Sequence, residues 1–258
     1  MAYSFKGAIS FGLIYIPITL HNAVQSNQIG FNLIEKNTMS RVRYKKTCQD
    51  CDGREVKQKD IVKGYEYEEG KYVVFTNDDF EKIKSKRDKN IIIEAFVQLS
   101  EIDPVYYDRP YYVVPEKGAE RAFALLKEAM EADGRAGIAR SVLGAKETLV
   151  ALRVKNGVMY LNTMHFHEEI RPAPYLSPEI DLQEQELSLA SALIAAMAKP
   201  FEPKNYVDEY RQKIERAIAA KIQGKEIVVR EEDDFNPALD LMTALQESLS
   251  RYETNARA

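Results

Sequence analysis

Tryptophan is absent from this sequence of 258 residues, which contains two cysteines and three histidines. Two cysteines are too few for a disulfide framework, which argues against a small secreted domain. The longest uncharged apolar stretch, residues 8–21, contains Gly12 and Pro17 and is too short to span a bilayer. The N-terminal residues lack the basic segment and apolar run of a signal peptide. We therefore predict a cytoplasmic protein with no membrane partner.

Motifs of catalysis are equally scarce. The sequence contains no Gly-x-x-x-x-Gly-Lys loop for a nucleotide phosphate and no Gly-x-Ser-x-Gly elbow for a nucleophilic serine. His165, His167 and Glu169 alternate on a predicted strand, so that two imidazoles and a carboxylate share one face and are able to bind a metal. A metal-dependent hydrolase or nuclease at this face is the alternative function. A polar outer strand face explains the triplet more simply, and we predict a protein that is not an enzyme and needs no cofactor.

Both cysteines belong to one Cys48-Gln-Asp-Cys51 unit. This spacing resembles half of a zinc ribbon, in which two thiolates bind one Zn²⁺. The second pair is missing, so a zinc site needs the histidines or a partner subunit to complete it. Two reduced thiols at a turn are the simpler interpretation, and we predict no metal.

Charge is distributed unevenly along the chain. The formal net charge is −4, but residues 36–63 carry nine basic and four acidic side chains, while residues 172–258 carry ten basic and sixteen acidic ones. Screening at physiological salt removes the effect of charges more than about 8–10 Å away, so a local basic segment decides whether a polyanion binds. The basic segment is therefore compatible with DNA binding. The alternative is a solvated surface whose charge is balanced by neighbouring acidic groups.

The first candidates for DNA contact lie in residues 40–46, Ser-Arg-Val-Arg-Tyr-Lys-Lys. We predict a strand over residues 41–47, which places Arg41, Arg43 and Lys45 on one side at intervals of about 6.6 Å, a spacing that can follow a phosphate backbone. No Asn or Gln beside them is available for bidentate reading of a base, so we expect contacts that do not depend on DNA sequence. A barrel that binds single strands is a further hypothesis, but it needs an aromatic platform beside the cations, and Tyr44 faces away from them on the predicted strand. The next candidates for DNA contact are Lys36, Lys46, Lys57, Lys59, Lys63, Arg135, Arg140 and Lys146.

Residues 1–171 consist mainly of short predicted strands separated by turn residues. Apolar and polar residues alternate from Ile9 to Tyr15, which predicts a strand that Pro17 either ends or marks as an edge strand. The dipeptide at residues 156–157, Asn-Gly, is the strongest hairpin signal. Predicted helices near Asn77 and over residues 119–132 interrupt this pattern. Many short strands at this spacing indicate a mainly β fold, either a barrel or a sandwich.

The composition changes at residue 172. Three prolines between residues 172 and 178 indicate a linker, which we place at residues 172–181, and the remaining residues 182–258 are predicted to be helical. In the last helix an apolar stripe is formed by Leu241, Met242, Leu245 and Leu249. This stripe either binds a partner protein or packs inside the helical region, and the sequence favours neither alternative.

Several segments, in order along the chain, match the sequence pattern of one protein family. Three of them are Gly7-Ala-Ile-Ser-Phe-Gly-Leu-Ile-Tyr-Ile-Pro-Ile18, Asp60-Ile-Val-Lys-Gly-Tyr65 and Lys146-Glu-Thr-Leu-Val-Ala-Leu-Arg153. The others are Glu101-Ile-Asp-Pro104, Tyr111-Tyr-Val-Val-Pro115, Glu168-Glu-Ile-Arg171, Glu186-Leu-Ser-Leu-Ala-Ser191 and residues 206–224. Over nearly its whole length the chain resembles bacterial Ku proteins, the DNA-end-binding factors of non-homologous end joining.

The resemblance implies a β-barrel core that dimerises through long arms into a ring around duplex DNA. Residues 1–171 are then the barrel and arm, and residues 182–258 are a small α-helical region that recruits a multifunctional ATP-dependent DNA ligase, ligase D. The resemblance further implies a homodimer that binds double-stranded DNA ends without sequence specificity, in the bacterial cytoplasm with the nucleoid. A threaded ring cannot leave DNA sideways, which agrees with the modest net charge of the chain.

Overall fold

The computed structural model describes residues 4–83, 90–143, 146–174, 182–226 and 241–256. For Lys146, Leu241 and residues 251–256 the description covers the backbone alone. The chain forms two compact units, Met1–Pro172 and Ala173–Ala258. Most of the linker predicted at residues 172–181 lies outside the described residues, and the role assigned to each part of the chain stays a prediction.

The described strands are β1 (Phe5–Phe11), β2 (Ile14–Asn22), β3 (Lys63–Glu68), β4 (Lys71–Phe75), β5 (Asn90–Gln98), β6 (Tyr107–Pro115), β7 (Arg135–Leu143), β8 (Lys146–Lys155) and β9 (Val158–Met164). The described helices of the first unit are α1 (Asn77–Ile83) and α2 (Glu120–Ala132). Those of the second unit are α3 (Glu184–Met197), α4 (Glu209–Ile222) and α5 (Leu241–Ala256). The helices predicted near Asn77 and over residues 119–132 are thereby confirmed.

A tight hairpin stands where the sequence predicts one strand from Ile9 to Tyr15. β1 and β2 pair antiparallel, and Gly12 between them has a φ of 55°. The prediction is wrong because glycine adopts a positive φ at little cost, which allows a two-residue turn to reverse the chain at this position.

Pro17 lies inside β2 and does not end it. It stands opposite Ala8 of β1, while β2 pairs with β6 only from Ile18 onward. On the β6 side the missing N–H of Pro17 therefore removes no bond of the ladder, and the strand continues through the proline.

Seven strands close into a barrel in the order β1-β2-β6-β9-β8-β7-β5, and β5 returns to pair with β1 in parallel. The predicted mainly β fold with a barrel core is confirmed, and the sandwich is excluded. Alternate side chains of the strands point into the barrel, where Ile9, Ile18, Ile91, Leu152 and Leu161 are among the largest fully buried ones. Burial of one such side chain contributes about 1.5–3 kcal/mol, so the barrel interior is the main source of stability in the first unit.

Helix α2 packs against β7 and β8 and adds Leu126 and Met130 to the same core. The turn between β8 and β9 has positive φ at both Asn156 and Gly157, 52° and 72°, which confirms the predicted hairpin. The Gly157 N–H donates to Glu131 Oε1 of α2 at 3.0 Å. The helix is therefore fastened to the β8–β9 end of the barrel.

Residues 23–83, which we call the arm, follow β2 and contain β3, β4 and α1. None of these residues is buried, although large apolar side chains such as Phe31, Tyr65 and Val74 are among them. β3 and β4 form a sheet of two strands, and a sheet of two strands is marginally stable in water. The arm therefore has no core of its own.

In the second unit α3 packs against α5, and Met242, Leu245 and Leu249 of α5 are half-buried. These three residues of the apolar stripe therefore pack inside the helical region, which is one of the two alternatives left open by the sequence. The side chain of Leu241 lies outside the described residues. Across the part of the chain that the structure describes, no helix is long and apolar enough to cross a membrane.

Apolar and aromatic groups remain exposed around α4. Tyr210 and Ile222, near the two ends of the helix, are 73% and 80% exposed. In the segment before α4 the rings of Phe201 and Tyr206 stack with their centroids 5.5 Å apart, and both side chains are exposed. We call these four residues the α4 surface.

Candidate nucleic-acid interface

The basic segment, residues 36–63, lies in the arm and is accessible along its length. Arg41 forms an isolated bridge with Ile34, and Thr47 forms another with Glu55, but residues 42–46 have no regular structure. The strand predicted over residues 41–47 is therefore wrong. Its two ends pair with two different stretches of chain, so no continuous ladder can form and the one-sided arrangement of the three cations, with Tyr44 behind them, is lost.

Two lysines of the basic segment already have partners. Lys45 Nζ lies 2.7 Å from Glu55 Oε2, and Lys46 Nζ donates to Gln58 Oε1 at 2.7 Å. Both contacts are exposed, so each is weak. The Glu55 carboxylate reduces the charge that Lys45 offers to an external anion, whereas the neutral Gln58 amide orients Lys46 and leaves its charge uncompensated.

The other cations of the segment are more available. Arg41, Arg43, Lys57 and Lys59 form no ion pair with any described residue and are all exposed. Lys63 Nζ lies 4.6 Å from the centroid of the Phe80 ring, a cation–π contact that leaves its charge uncompensated. The basic segment therefore exposes several cations that no described carboxylate pairs with.

Lys36 has a negatively charged neighbour. The Glu35 carboxylate accepts hydrogen bonds from the N–H groups of Asn37 and Thr38, at 3.0 and 2.6 Å. These bonds hold the pKa of Glu35 below its ordinary value. The carboxylate remains ionised next to Lys36, which makes Lys36 a weaker candidate for phosphate contact than Arg41 or Arg43.

The second predicted basic stretch is spread along the barrel. Arg135 begins β7 and Lys146 begins β8 opposite the end of β7, so their Cα atoms are about 26 Å apart along the strands. Arg140 Nε lies 3.2 Å from Glu94, and its Nη1 lies 3.6 Å from Glu147. The charge of Arg140 is thus compensated within the barrel, while Arg135 is exposed and the side chain of Lys146 is outside the described residues.

Cys48 and Cys51 lie at a tight turn of the arm. A 3-10 turn spans Gln49–Cys51, and the Gly53 N–H closes it by donating to the Cys48 carbonyl at 3.1 Å. Both thiols are free. A hydrogen bond to Cys48 raises the pKa of the Cys51 thiol, and the nearby charge of Cys48 acts in the same direction. Two sulfur ligands are half of a zinc site, and within the described ranges no group of three or more His, Cys, Asp or Glu side chains is placed to bind a metal.

The face predicted for His165, His167 and Glu169 does not exist. β9 ends at Met164, and a 3-10 turn spans His167–Glu169. The Glu169 carboxylate accepts the N–H of Phe166 at 2.8 Å and lies 3.7 Å from the His165 ring, while His167 Nδ1 lies 3.2 Å from the hydroxyl of Tyr106. The strand prediction fails because the Glu169 carboxylate caps a turn at this position. The two imidazoles then have separate partners, Glu169 for His165 and Tyr106 for His167.

One group of cationic and aromatic side chains was not predicted. His21, Tyr112, Tyr160 and Arg153 lie side by side on β2, β6, β9 and β8, outside the barrel, and we call them the barrel row. Arg153 Cζ lies 4.8 Å from the centroid of Tyr160, and the Tyr160 ring lies 5.4 Å from that of Tyr112. The two-residue β8–β9 turn already sets Arg153 opposite Tyr160, so the sequence carried that signal. Nothing local in the sequence places Tyr112 beside them.

Comparison with known proteins shows relatives of this chain. A family model described as the Ku70/Ku80 beta-barrel domain matches residues 10–189. A protein of Lachnoclostridium phytofermentans called "Non-homologous end joining protein Ku" is 43% identical over 250 residues, which cover 96% of this chain and 96% of that protein. Proteins of the same name are 40% identical in Archaeoglobus fulgidus, covering 96% of this chain and 98% of that protein, and 36% identical in Bacillus subtilis, covering 95% and 81%.

The family model covers most of the barrel and extends past it, so the barrel is of the Ku type. The relatives add matches over nearly the whole chain. The chain belongs to the Ku family.

Proposed function

We propose that this protein is a homodimeric ring that binds double-stranded DNA ends without sequence specificity. It recruits an ATP-dependent DNA ligase, ligase D, for repair of double-strand breaks by non-homologous end joining. The name shared by its relatives, Non-homologous end joining protein Ku, supports the repair role. In this proposal the protein acts in the cytoplasm at the nucleoid and is not an enzyme, because it holds the DNA ends while the ligase performs the chemistry.

The observation that carries the ring is the exposed arm. Its described residues bury no side chain, yet Tyr65, Tyr72 and Val74 of the two-stranded sheet are 67%, 58% and 54% exposed. Exposed apolar surface on this scale marks an interaction site, and a sheet of two strands gains stability when further strands or a packed face cover it. A second copy of the same arm supplies such a cover, and two arms joined in this way close a ring.

The charges of the arm support contact with the DNA backbone. Arg41, Arg43, Lys57 and Lys59 are exposed cations without ion pairs among the described residues. Cations that contact phosphates hold any DNA sequence equally, which suits a protein that must act at any break. We expect Arg41 and Arg43 to be the main contacts, since a guanidinium fork binds a phosphate through two hydrogen bonds.

Ligase recruitment is assigned to the second unit. Met242, Leu245 and Leu249 of the α5 stripe are half-buried, and α5 packs against α3, whereas the α4 surface is exposed. The α4 surface is therefore the better-placed docking candidate. A chain that ends at Ile180 should still bind DNA ends but lose stimulation of the ligase. In the full chain Tyr210→Asp should do the same, while Leu245→Asp should destabilise the second unit. Loss of DNA binding on truncation would instead make the helices part of the ring.

The ring is tested by comparing a linear duplex with the same duplex closed into a circle, over a salt series. A threaded ring binds the linear form and does not load on the circle, whatever the sequence. Equal affinity for the two forms would show an open basic groove, and the proposal of a ring would be wrong.

A further inference from the structure

One outer face of the barrel carries two cations, Arg153 and Lys155, that form no ion pair with a described carboxylate. On β2, β6, β9 and β8 the side chains that alternate with the buried core point outward. From the barrel row to the β8–β9 turn these outward positions are neutral or basic, and they end at Arg153 and Lys155. The outward carboxylate of β8, Glu147, lies at the other end of the strand and pairs with Arg140.

Arg153 is held in place by two contacts. Its guanidinium lies over the Tyr160 ring at 4.8 Å, and its Nε donates to Asn162 Oδ1 at 2.9 Å. Neither contact neutralises its charge, and no described carboxylate forms an ion pair with it. The side chain is half-buried, so the two terminal nitrogens are fixed in direction and lack an anion.

Other cations of the first unit differ in this respect: the half-buried Lys127 lies 3.4 Å from Glu128, and two exposed cations of the barrel are paired as well. Lys6 pairs with Glu116 at 2.7 Å, and Arg140 lies between two glutamates. A partly desolvated arginine that is oriented by an aromatic ring and an amide, without a carboxylate, has the form of an anion site.

We propose that the barrel row is a contact site for the phosphodiester backbone of DNA, an inference that rests on the proposed function. Arg153 binds one phosphate through its terminal nitrogens, and Lys155, about 6.6 Å further along β8 on the same face, neutralises the next. The hydroxyl groups of Tyr112 and Tyr160 donate to the same backbone. The barrel thus shares the grip on DNA with the arm.

The first test measures binding of a labelled linear duplex to the full-length protein over a salt series. Arg153→Ala should weaken binding about tenfold and lower the slope of log K against log salt by about 0.9 for each protomer in contact. Arg153→Lys should keep the slope but bind more weakly, because it keeps the charge and loses the fork. Arg121→Ala, an exposed arginine of α2, is the matched control and should bind as the wild type does.

A second variant leaves the Arg153 stack intact. Val114, 42% exposed, points outward on β6 one row from Tyr112, so Val114→Glu adds a carboxylate to this face. Leu125→Glu adds the same charge on α2, where the side chain is 70% exposed. We expect Val114→Glu to weaken DNA binding and Leu125→Glu to leave it unchanged, with wild-type melting temperatures for both.

The outcomes separate the two proposals. If the wild type binds duplex ends while Val114→Glu and a folded Arg153→Ala keep its affinity and salt slope, the barrel row does not contact DNA and the ring proposal stands. If Arg153→Ala lowers the melting temperature and Val114→Glu leaves binding unchanged, Arg153 is a structural residue and the inference is wrong. If the wild type fails to bind duplex ends, the proposed function falls, and the barrel row falls with it.

Discussion

Replacing both Arg41 and Arg43 by alanine tests whether the arm binds phosphates. Both side chains are exposed, and neither forms an ion pair or a hydrogen bond with a described residue, so the substitution should cost the fold little. Each phosphate contact contributes about 0.9 to the slope of log K against log salt through release of counterions. For each protomer in contact, loss of two contacts should lower the slope by about 1.8 and weaken binding at about 0.15 M salt by about 2 kcal/mol, or about 30-fold in Kd.

A matched variant at the ion pair of Lys45 should change DNA binding in the opposite direction. Lys45 Nζ is 2.7 Å from Glu55 Oε2, with the two side chains 69% and 56% exposed. Such a pair is worth about 0–1 kcal/mol, so Glu55→Gln breaks it at little cost to the fold. The substitution frees Lys45 and removes a carboxylate from the basic segment, and we expect a steeper salt slope and tighter binding.

The assay is fluorescence anisotropy with a labelled linear duplex between about 50 and 200 mM salt, repeated on a second, unrelated sequence. The loss caused by the double arginine variant should be equal on both sequences, because phosphates carry no sequence information. An unchanged slope in the double variant, together with no effect of Glu55→Gln, would show that the arm does not contact phosphates. A loss confined to one sequence would refute backbone contact.

Three further outcomes follow from the structure. Val73→Asp, on the exposed β3–β4 sheet, should convert a dimer to monomers in light scattering, whereas Leu125→Asp on α2 should leave the dimer intact. Gly137→Ala places a Cβ 3.3 Å from two β5 side-chain atoms, and urea unfolding should show a loss of about 1–3 kcal/mol. The raised pKa of Cys51 leaves less thiolate at pH 8 than a free cysteine has, so Cys48→Ala should accelerate its alkylation by iodoacetamide, and an equal rate would contradict the hydrogen bond between the thiols.

The elements that the sequence predicted correctly are those specified by local chemistry. Asn156 and Gly157 tolerate the positive φ of a tight turn, so the β8–β9 hairpin could be placed without knowledge of the rest of the chain. The apolar face of α2 repeats with the period of a helix, and Leu126 and Met130 of that helix are buried. In both cases the determining residues are neighbours in sequence.

The predictions failed for segments whose structure depends on which other parts of the chain they pair with. Alternation over residues 41–47 suits a strand, but the segment meets one stretch of chain at Arg41 and another at Thr47, and a strand needs one continuous partner. The turn at residues 167–169 depends on a side-chain cap by Glu169, which competes with strand pairing after Met164. The barrel row unites β2, β6, β9 and β8, so Tyr112 becomes a neighbour of Tyr160 only when the barrel closes.

Some cations of this protein are paired with carboxylates and others are not, which explains why its net charge is a poor guide to where it can bind an anion. On the barrel, Lys6 and Arg140 each face a carboxylate, and their charges are neutralised where they arise. In the arm, Arg41 and Arg43 form no ion pair with a described residue, so their charges are not neutralised by a direct contact. Arg153 joins the arm cations in lacking an anion. A chain of net charge −4 thus presents positive charge at two separate places. In the proposed ring such local contacts suffice, because closure itself prevents lateral escape.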